Sequence, residues 1–265
     1  MSRLMPRIFG GPTSSKSAAP AQISAWKQGR ENEVAFWVDY LRTKGSEWPD
    51  DFVSRLDPEL PLQDHLKARL THVEEGGEVS ILDCGAGPFT VVGKRWEGRE
   101  VKITAVDALA DEYDDALRKD GITPPVRTMR AEVERLDELF EPNSFDLVYM
   151  RNALDHSYDP IRGLHQMVRV AKVGSVVLLE HYLDEAESAR YDGLHQWNLR
   201  MEQDGSFVVW NRRGRFVVTE LLPSTLMTCE KGVGRWFSVD IRKLAEDPSS
   251  RRRGPSFAAR RRKSP

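Results

Sequence analysis

Asp83, Gly85, Gly87 and Asp107 are the residues whose types and spacing point most directly to chemistry. The apolar run Val79-Ser80-Ile81-Leu82 meets Asp83 and then the turn Cys84-Gly85-Ala86-Gly87-Pro88. Glycine has no Cβ, accepts positive φ and lets a ligand approach the backbone closely. A glycine turn behind the first strand is where an open α/β sheet holds an adenosine-bearing cofactor, at the carboxyl end of its strands. A second apolar run, Val101–Val106, ends at Asp107, 20 residues beyond Gly87. A carboxylate at that distance can accept both hydroxyls of a ribose.

Two ligands compete for this turn. A nicotinamide or flavin dinucleotide wants G-x-G-x-x-G, whose third glycine permits tight helix–strand contact around a pyrophosphate. Counted from Gly85, that place is Thr90, so the pattern is broken. Asp83 adds negative charge beside the turn, which suits the cationic amino-acid end of S-adenosylmethionine better than a pyrophosphate.

With these residues the chain resembles the class I S-adenosylmethionine-dependent methyltransferases. The family's first motif, hydrophobic-L-D-x-G-x-G-x-G, reads here Ile81-Leu82-Asp83-Cys84-Gly85-Ala86-Gly87-Pro88 and lacks the last glycine. Arg130-Ala131-Glu132-Val133-Glu134-Arg135-Leu136 resembles the segment after the third strand, and Asn143-Ser144-Phe145-Asp146-Leu147-Val148 the fourth-strand motif. Val170-Ala171-Lys172-Val173-Gly174-Ser175 stands where the family has L-K-P-G-G. Four motifs in the right order carry more weight than any one alone. The resemblance covers roughly residues 60–242. It implies a cofactor site built from Asp83, Gly85, Ala86, Gly87, Asp107, Ala108, Glu132, Val133 and Arg151, with Glu132 facing the adenine amino group.

The elements that must position these residues alternate. Strands are expected near 79–83, 101–106, 125–130, 145–149 and 175–182, with helices near 109–119, 134–139 and 160–171. Such alternation means parallel strands joined by crossovers. With the resemblance, it implies a doubly wound, Rossmann-like α/β sheet of seven strands with an antiparallel last strand, an N-terminal helical cap and a lid insertion after strand five. The expected organisation is a disordered leader over 1–22 and a cap over 23–75. A methyltransferase domain follows over 76–245, with a lid at 183–223, and then a basic disordered tail over 246–265. The cap is read from a helix near 25–43, a helix start at Pro49-Asp50-Asp51 and a helix near 60–73. Trp26, Trp37 and Trp48 in the cap are read either as packing or as a cofactor cover.

Composition fits a folded enzyme. The 265 residues are 40% hydrophobic and 30% charged, as in ordinary globular chains. No apolar run is long enough to span a bilayer and no signal segment stands at the N-terminus. Cys84 and Cys229 form neither a disulfide framework nor a zinc pattern, so a cytoplasmic location is expected. The net charge of −2 conceals an asymmetry, because residues 251–265 hold seven basic side chains and no acid. That tail is read as a solvated appendage or as a tether for nucleic acid.

For the transfer step, His156 is the expected base, because its loop follows strand four at the carboxyl edge and imidazole titrates near neutrality. Asp155 and His181 are expected beside it. His195 and Trp197, in the segment Gly193-Leu194-His195-Gln196-Trp197, are expected to contact the acceptor. The alternative is a magnesium ion held by Asp155, Glu180 and His181. Arg151-Asn152-Ala153-Leu154 departs from the N/D-P-P-Y/F loop of amide and base-nitrogen methyltransferases, and neither cysteine is placed for cytosine C5 chemistry. The expected reaction is O-methylation of a small-molecule or saccharide hydroxyl. Open alternatives are a non-catalytic partner protein that keeps the fold and a methyltransferase acting on RNA or protein. The acceptor's identity and the oligomeric state stay open.

Overall fold

The computed structural model describes residues 20–246. The expected leader, except its last three residues, and the basic tail beyond Glu246 lie outside the described residues. The chain runs α1 (Pro20–Arg42), α2 (Pro49–Leu56), α3 (Asp64–Lys67), β1 (Glu78–Cys84), β2 (Glu100–Asp107), α4 (Ala110–Lys119) and β3 (Met129–Arg130). A 3₁₀ turn at Val133–Glu138 leads to β4 (Phe145–Arg151), and a second at Leu154–His156 leads to α5 (Pro160–Val170) and β5 (Ala171–Tyr182). Then come α6 (Glu185–Ser188), β6 (Asn198–Met201), β7 (Phe207–Asn211), β8 (Gly214–Val217), α7 (Val218–Leu221), β9 (Thr225–Lys231) and β10 (Trp236–Lys243).

The described residues form a seven-stranded sheet in the order β3-β2-β1-β4-β5-β10-β9, and β6, β7 and β8 form a separate antiparallel sheet. β1 pairs in parallel with both β2 and β4, β4 pairs in parallel with β5, and β10 runs antiparallel to both β5 and β9. The chain order reverses between β1 and β4. That switch point opens a crevice at the strands' carboxyl ends.

Successive side chains of a strand face opposite sides of a sheet, and a central parallel strand is buried on both. The central strands obey this. Leu82, Val148, Met150, Val177 and Leu179 join one core, while Ile81, Leu147, Tyr149, Val176 and Leu178 join another. α5 and the small sheet cover the first face, through Leu164, Met167, Leu199, Phe207 and Val209. α5 is well started: Pro160 opens it, and the Asp159 carboxylate accepts from the Arg162 backbone N–H at 3.1 Å.

The second face departs from expectation. Residues 60–73 were expected to be one helix, but only Asp64–Lys67 is helical. Leu60 and Leu62 spend their backbone groups on the segment after β1: Lys94 N–H donates to the Leu60 carbonyl and Leu62 N–H to the Arg95 carbonyl, both at 2.7 Å. A helix cannot begin until those bonds are left behind. The β1–β2 connection itself contains no helix. The expected strand 125–130 shrinks to Met129–Arg130 because Pro124 and Pro125 have no N–H to give a ladder.

α1 lies across the crevice and is held at three places. Trp26 joins Leu109, Tyr113 and Leu194 in a small core, Arg30 pairs with Glu112, and Gly29 rests directly on Gly193. A Cβ at Gly29 would lie 2.6 Å from the Gly193 carbonyl oxygen, a backbone atom that cannot swing aside. Gly29→Ala should therefore separate α1 from the 190–195 loop and destabilise the fold by about 1–3 kcal/mol. Thermal unfolding measures it, and a wild-type Tm would mean that α1 is not seated there.

Candidate functional site

The turn after β1 is shaped by its neighbours. Gly85 and Gly87 have φ of 71° and 65°. The Gly85 and Ala86 N–H groups both donate to the Val106 carbonyl, at 2.8 and 3.1 Å, which curls the turn toward the end of β2. A Cβ on Gly85 would lie 2.4 Å from the Ala153 Cβ, and one on Gly87 would lie 2.8 Å from the Trp37 ring. The turn is thus closed in by the loop after β4 and by α1. Asp107 completes it: Oδ2 accepts from Gly87 N–H at 3.0 Å and Oδ1 from Leu109 N–H at 2.8 Å. Burial raises the Asp107 carboxyl to about 6 despite those donors.

A cavity of about 720 Å³ opens in front of this turn. Gly85, Gly87, Asp107 and Ala108 form one wall, Ala131, Val133 and Glu134 the next, and Arg151, Asn152 and Ala153 the floor beyond β4. Phe36, Trp37, Tyr40 and Trp48 face them from α1 and the loop before α2, and His156 and His195 also reach the lining. The volume is that of a small-molecule site. The Arg151 guanidinium sits 5.3 Å from the centroid of the Trp236 ring.

Asp155 organises the far side. It is fully buried at the base of the 3₁₀ turn after β4. Its Oδ1 lies 2.9 Å from His181 Nε2 and its Oδ2 2.6 Å from His195 Nδ1. His156 Nε2 lies 3.2 Å from that same His195 nitrogen and 3.6 Å from Asp155 Oδ2. His181 Nδ1 is 2.8 Å from the Tyr182 carbonyl oxygen. With an acceptor at each nitrogen, the His181 ring is placed to donate from both, which favours its imidazolium form. Burial opposes that charge, but Asp155 and the Tyr182 carbonyl outweigh it and raise the ring's pKa. His195 follows the same pattern: burial lowers it, the bond to Asp155 raises it, and the net direction is up. Burial alone would raise the Asp155 carboxyl, yet the surrounding His156, His181 and His195 hold it far below the usual carboxylate range.

Not every expected residue stands where the motifs put it. Asp83 is 2% exposed and absent from the cavity lining; it accepts from the Thr90 hydroxyl at 2.5 Å, and burial pushes its carboxyl up to about 7. It braces the turn from beneath. Ala86 is buried behind the turn. Glu132 accepts from the Tyr158 hydroxyl at 2.9 Å and is not on the cavity wall; Glu134 occupies that wall instead. His181 is buried beneath Asp155 and does not line the cavity. Trp197 is 4% exposed, packs in the main core and donates its indole N–H to the Ser157 carbonyl at 2.9 Å. It borders a separate pocket of about 170 Å³.

Glu180 does not join Asp155 and His181. Next to His181 on β5, its side chain faces the opposite side of the sheet, where it accepts from the Tyr149 hydroxyl at 2.5 Å. His195, read from the sequence as an acceptor contact, lines the cavity and also joins the Asp155 cluster. Not singled out as site residues were Glu33, which lies in no motif, and Glu134 and Asn152, which lie inside motif segments read for other residues. Asn152 has φ of 48°, uncommon for a residue other than glycine, and its side-chain oxygen is buried without a partner.

Residues 82–179 match the family described as a methyltransferase domain. The ubiquinone/menaquinone biosynthesis C-methyltransferase of Idiomarina loihiensis is 32% identical over 110 residues, which is 40% of this chain and 43% of that protein. An uncharacterized methyltransferase of Schizosaccharomyces pombe is 28% identical over 114 residues, 41% of each chain. The chain thus matches under half the length of these curated relatives. Among solved structures, a SAM-dependent methyltransferase from Aquifex aeolicus is 18% identical with a TM-score of 0.42, covering 71% of this chain and 90% of that one.

The buried Asp83 carries a pH signature. Its pKa of about 7 in the folded chain exceeds the ordinary value near 4, so the folded state holds the proton more tightly. No penalty exists below about pH 4, where both states are protonated. It grows as pH rises and is complete above about pH 7. Asp83→Asn should remove it, stabilising the chain by roughly 2–4 kcal/mol at pH 8 and by almost nothing at pH 4. Denaturant unfolding at the two pH values tests this; equal effects at both would contradict it.

Proposed function

We propose that this chain, which belongs to the class I S-adenosylmethionine-dependent methyltransferase family, transfers the sulfonium methyl of S-adenosylmethionine to a hydroxyl oxygen of a small molecule or saccharide. The observation that carries the reading is the single cavity: the Gly85–Gly87 turn and Asp107 lie on one wall and His156 and His195 on another. A cofactor seated on the first wall and an acceptor on the second meet in one shared space.

Asp107 would take the ribose hydroxyls, with Ala108 beside it, and Ala131 and Val133 would flank the adenine. The absence of a helix behind the glycine turn favours a cationic sulfonium ligand over a pyrophosphate, because no helix N-terminus stands there to bind phosphate. Arg151 provides a cation for the carboxylate of the cofactor's methionyl end.

The reaction is an in-line displacement. The acceptor oxygen forms a bond to the methyl carbon, the carbon–sulfur bond breaks, and the electron pair returns to sulfur to give S-adenosylhomocysteine. The electrophile arrives activated, so the protein's share is positioning and removal of the hydroxyl proton. His156 and His195, oriented by Asp155, are the side chains assigned to that step. α1 and α2 serve as the cap that encloses the cofactor, with Trp37 against the turn, and residues 183–223 as the lid that brings His195 to the acceptor.

Two outcomes are expected. Calorimetry should find S-adenosylmethionine bound more tightly than NAD, and Asp107→Ala should weaken it by about 1.5–3 kcal/mol, the worth of a charged hydrogen bond. Tighter NAD binding would overturn the cofactor assignment. In an acceptor screen with labelled S-adenosylmethionine, His156→Ala should lower kcat by about 10²–10⁴-fold while cofactor affinity stays near wild type. Unchanged turnover would remove the cluster from the reaction.

A further inference from the structure

The Asp155 cluster has an electron-pair problem that hydrogen bonds alone do not solve. Asp155 Oδ2, His156 Nε2 and His195 Nδ1 all converge, at mutual distances of 2.6, 3.2 and 3.6 Å. His195 Nδ1 carries at most one proton, and its 2.6 Å bond to Asp155 uses it. His156 Nε2 then faces a nitrogen that has nothing left to offer, and its own distance to Asp155 is too long for a good hydrogen bond. The two rings meet edge to face with centroids 4.6 Å apart, so they do not stack.

We propose that Asp155, His156 and His195 form a three-ligand site for a divalent transition-metal ion, open toward the cavity. A cation at the point of convergence takes a lone pair from each of the three atoms and leaves none facing another. Among the described residues these three are the ones whose ligand atoms cluster closely enough to hold a metal.

The surroundings suit such a site. Ligating carboxylates and imidazoles are usually held by outer partners. Here His181 occupies the second oxygen of Asp155 at 2.9 Å, and a Glu33 carboxylate oxygen stands 3.9 Å from the outer nitrogen of His156. The Gln196 N–H donates to the Asp155 carbonyl at 3.1 Å, which fixes the His195 loop against the turn that carries the other two ligands. Asp155 is fully buried, while His156 and His195 reach the cavity lining. Three protein ligands with a free position on a cavity is the pattern of a catalytic rather than a structural site.

The donor set also selects the metal. Two imidazoles and one carboxylate suit zinc, iron, cobalt or nickel, whereas magnesium and calcium prefer oxygen ligands. This replaces the magnesium site of Asp155, Glu180 and His181, because the sheet separates Glu180 from the other two. The inference deepens the methyl-transfer reading and rests on it for its role; with the ion bound, His156 and His195 act on the hydroxyl through the metal rather than as free bases. An acceptor hydroxyl on the open position would lose its proton to cavity water more readily, and its oxygen would keep the electron pair for attack on the methyl carbon.

The test uses the full chain after dialysis against EDTA. Cobalt(II) titration should give visible d–d bands that saturate at one ion per chain. The bands should vanish in His156→Ala and His195→Ala variants that retain the wild-type circular dichroism spectrum. Should either variant fail to fold, competition of zinc against cobalt in the wild-type chain, with the bands bleached at one equivalent, supplies the same evidence. Methyl transfer should fall at least tenfold in EDTA and return with zinc or cobalt. Absence of the bands, bands that survive in both folded variants, or full turnover in EDTA would each overturn the metal site. S-adenosylmethionine binding, measured by calorimetry in EDTA, reports on the methyltransferase reading separately: a chain that binds cobalt at the cluster but not the cofactor would keep the site and lose the reaction.

Discussion

A fully buried carboxylate needs partners, and Asp155 draws its partners from three separate stretches of chain. An isolated ionised group away from water is so unfavourable that its surroundings must be organised to keep it charged. His156 comes from the same turn, His181 from the end of β5 and His195 from the segment between β5 and β6. Removing any one of them would weaken that compensation. The carboxylate therefore fixes where the turn after β4, the end of β5 and the 190–196 loop lie relative to one another, and the Gln196–Asp155 backbone bond repeats that constraint.

The opposite wall depends on a different economy of space. The reversal of chain order between β1 and β4 creates the crevice, and the absence of side chains at Gly85 and Gly87 lets its neighbours close onto the turn. Ala153 presses against the first of these glycines and Trp37 against the second. The two walls are therefore not independent. The loop that carries Asp155 and His156 also touches the glycine turn, and α1, which carries Trp37 and Glu33, rests through Gly29 on the loop that carries His195. A displacement of α1 would be felt at both ends of the cavity.

The glycine turn itself is supported without a helix behind it. Asp83 and Thr90 form a buried bond beneath it, and Asp107 accepts the Gly87 N–H from the side. The sequence reading set Asp83 beside the cationic end of the cofactor and Asp107 at its ribose. Their surroundings separate them: Asp83 is an internal brace and Asp107 borders the cavity.

The order and kind of the central elements were legible from residue pattern, because they rest on local rules. Apolar runs of strand length, a glycine turn after the first and an acid after the second required nothing distant to be recognised. The two proline residues before Met129 and the backbone bonds of Leu60 and Leu62 shortened elements whose hydrophobic pattern looked longer. The site was only half legible. Asp107, Ala108, Val133, Arg151 and His156 border the cavity as their places after strands suggested. Which side chains share one point was decided by tertiary structure alone. The strand's alternation sends Glu180 away from its neighbour His181, the core claims Trp197, and the docking of a distant loop brings His195 to Asp155 across 40 residues. Sequence spacing determines where the backbone turns; the packing of separate segments determines which lone pairs meet.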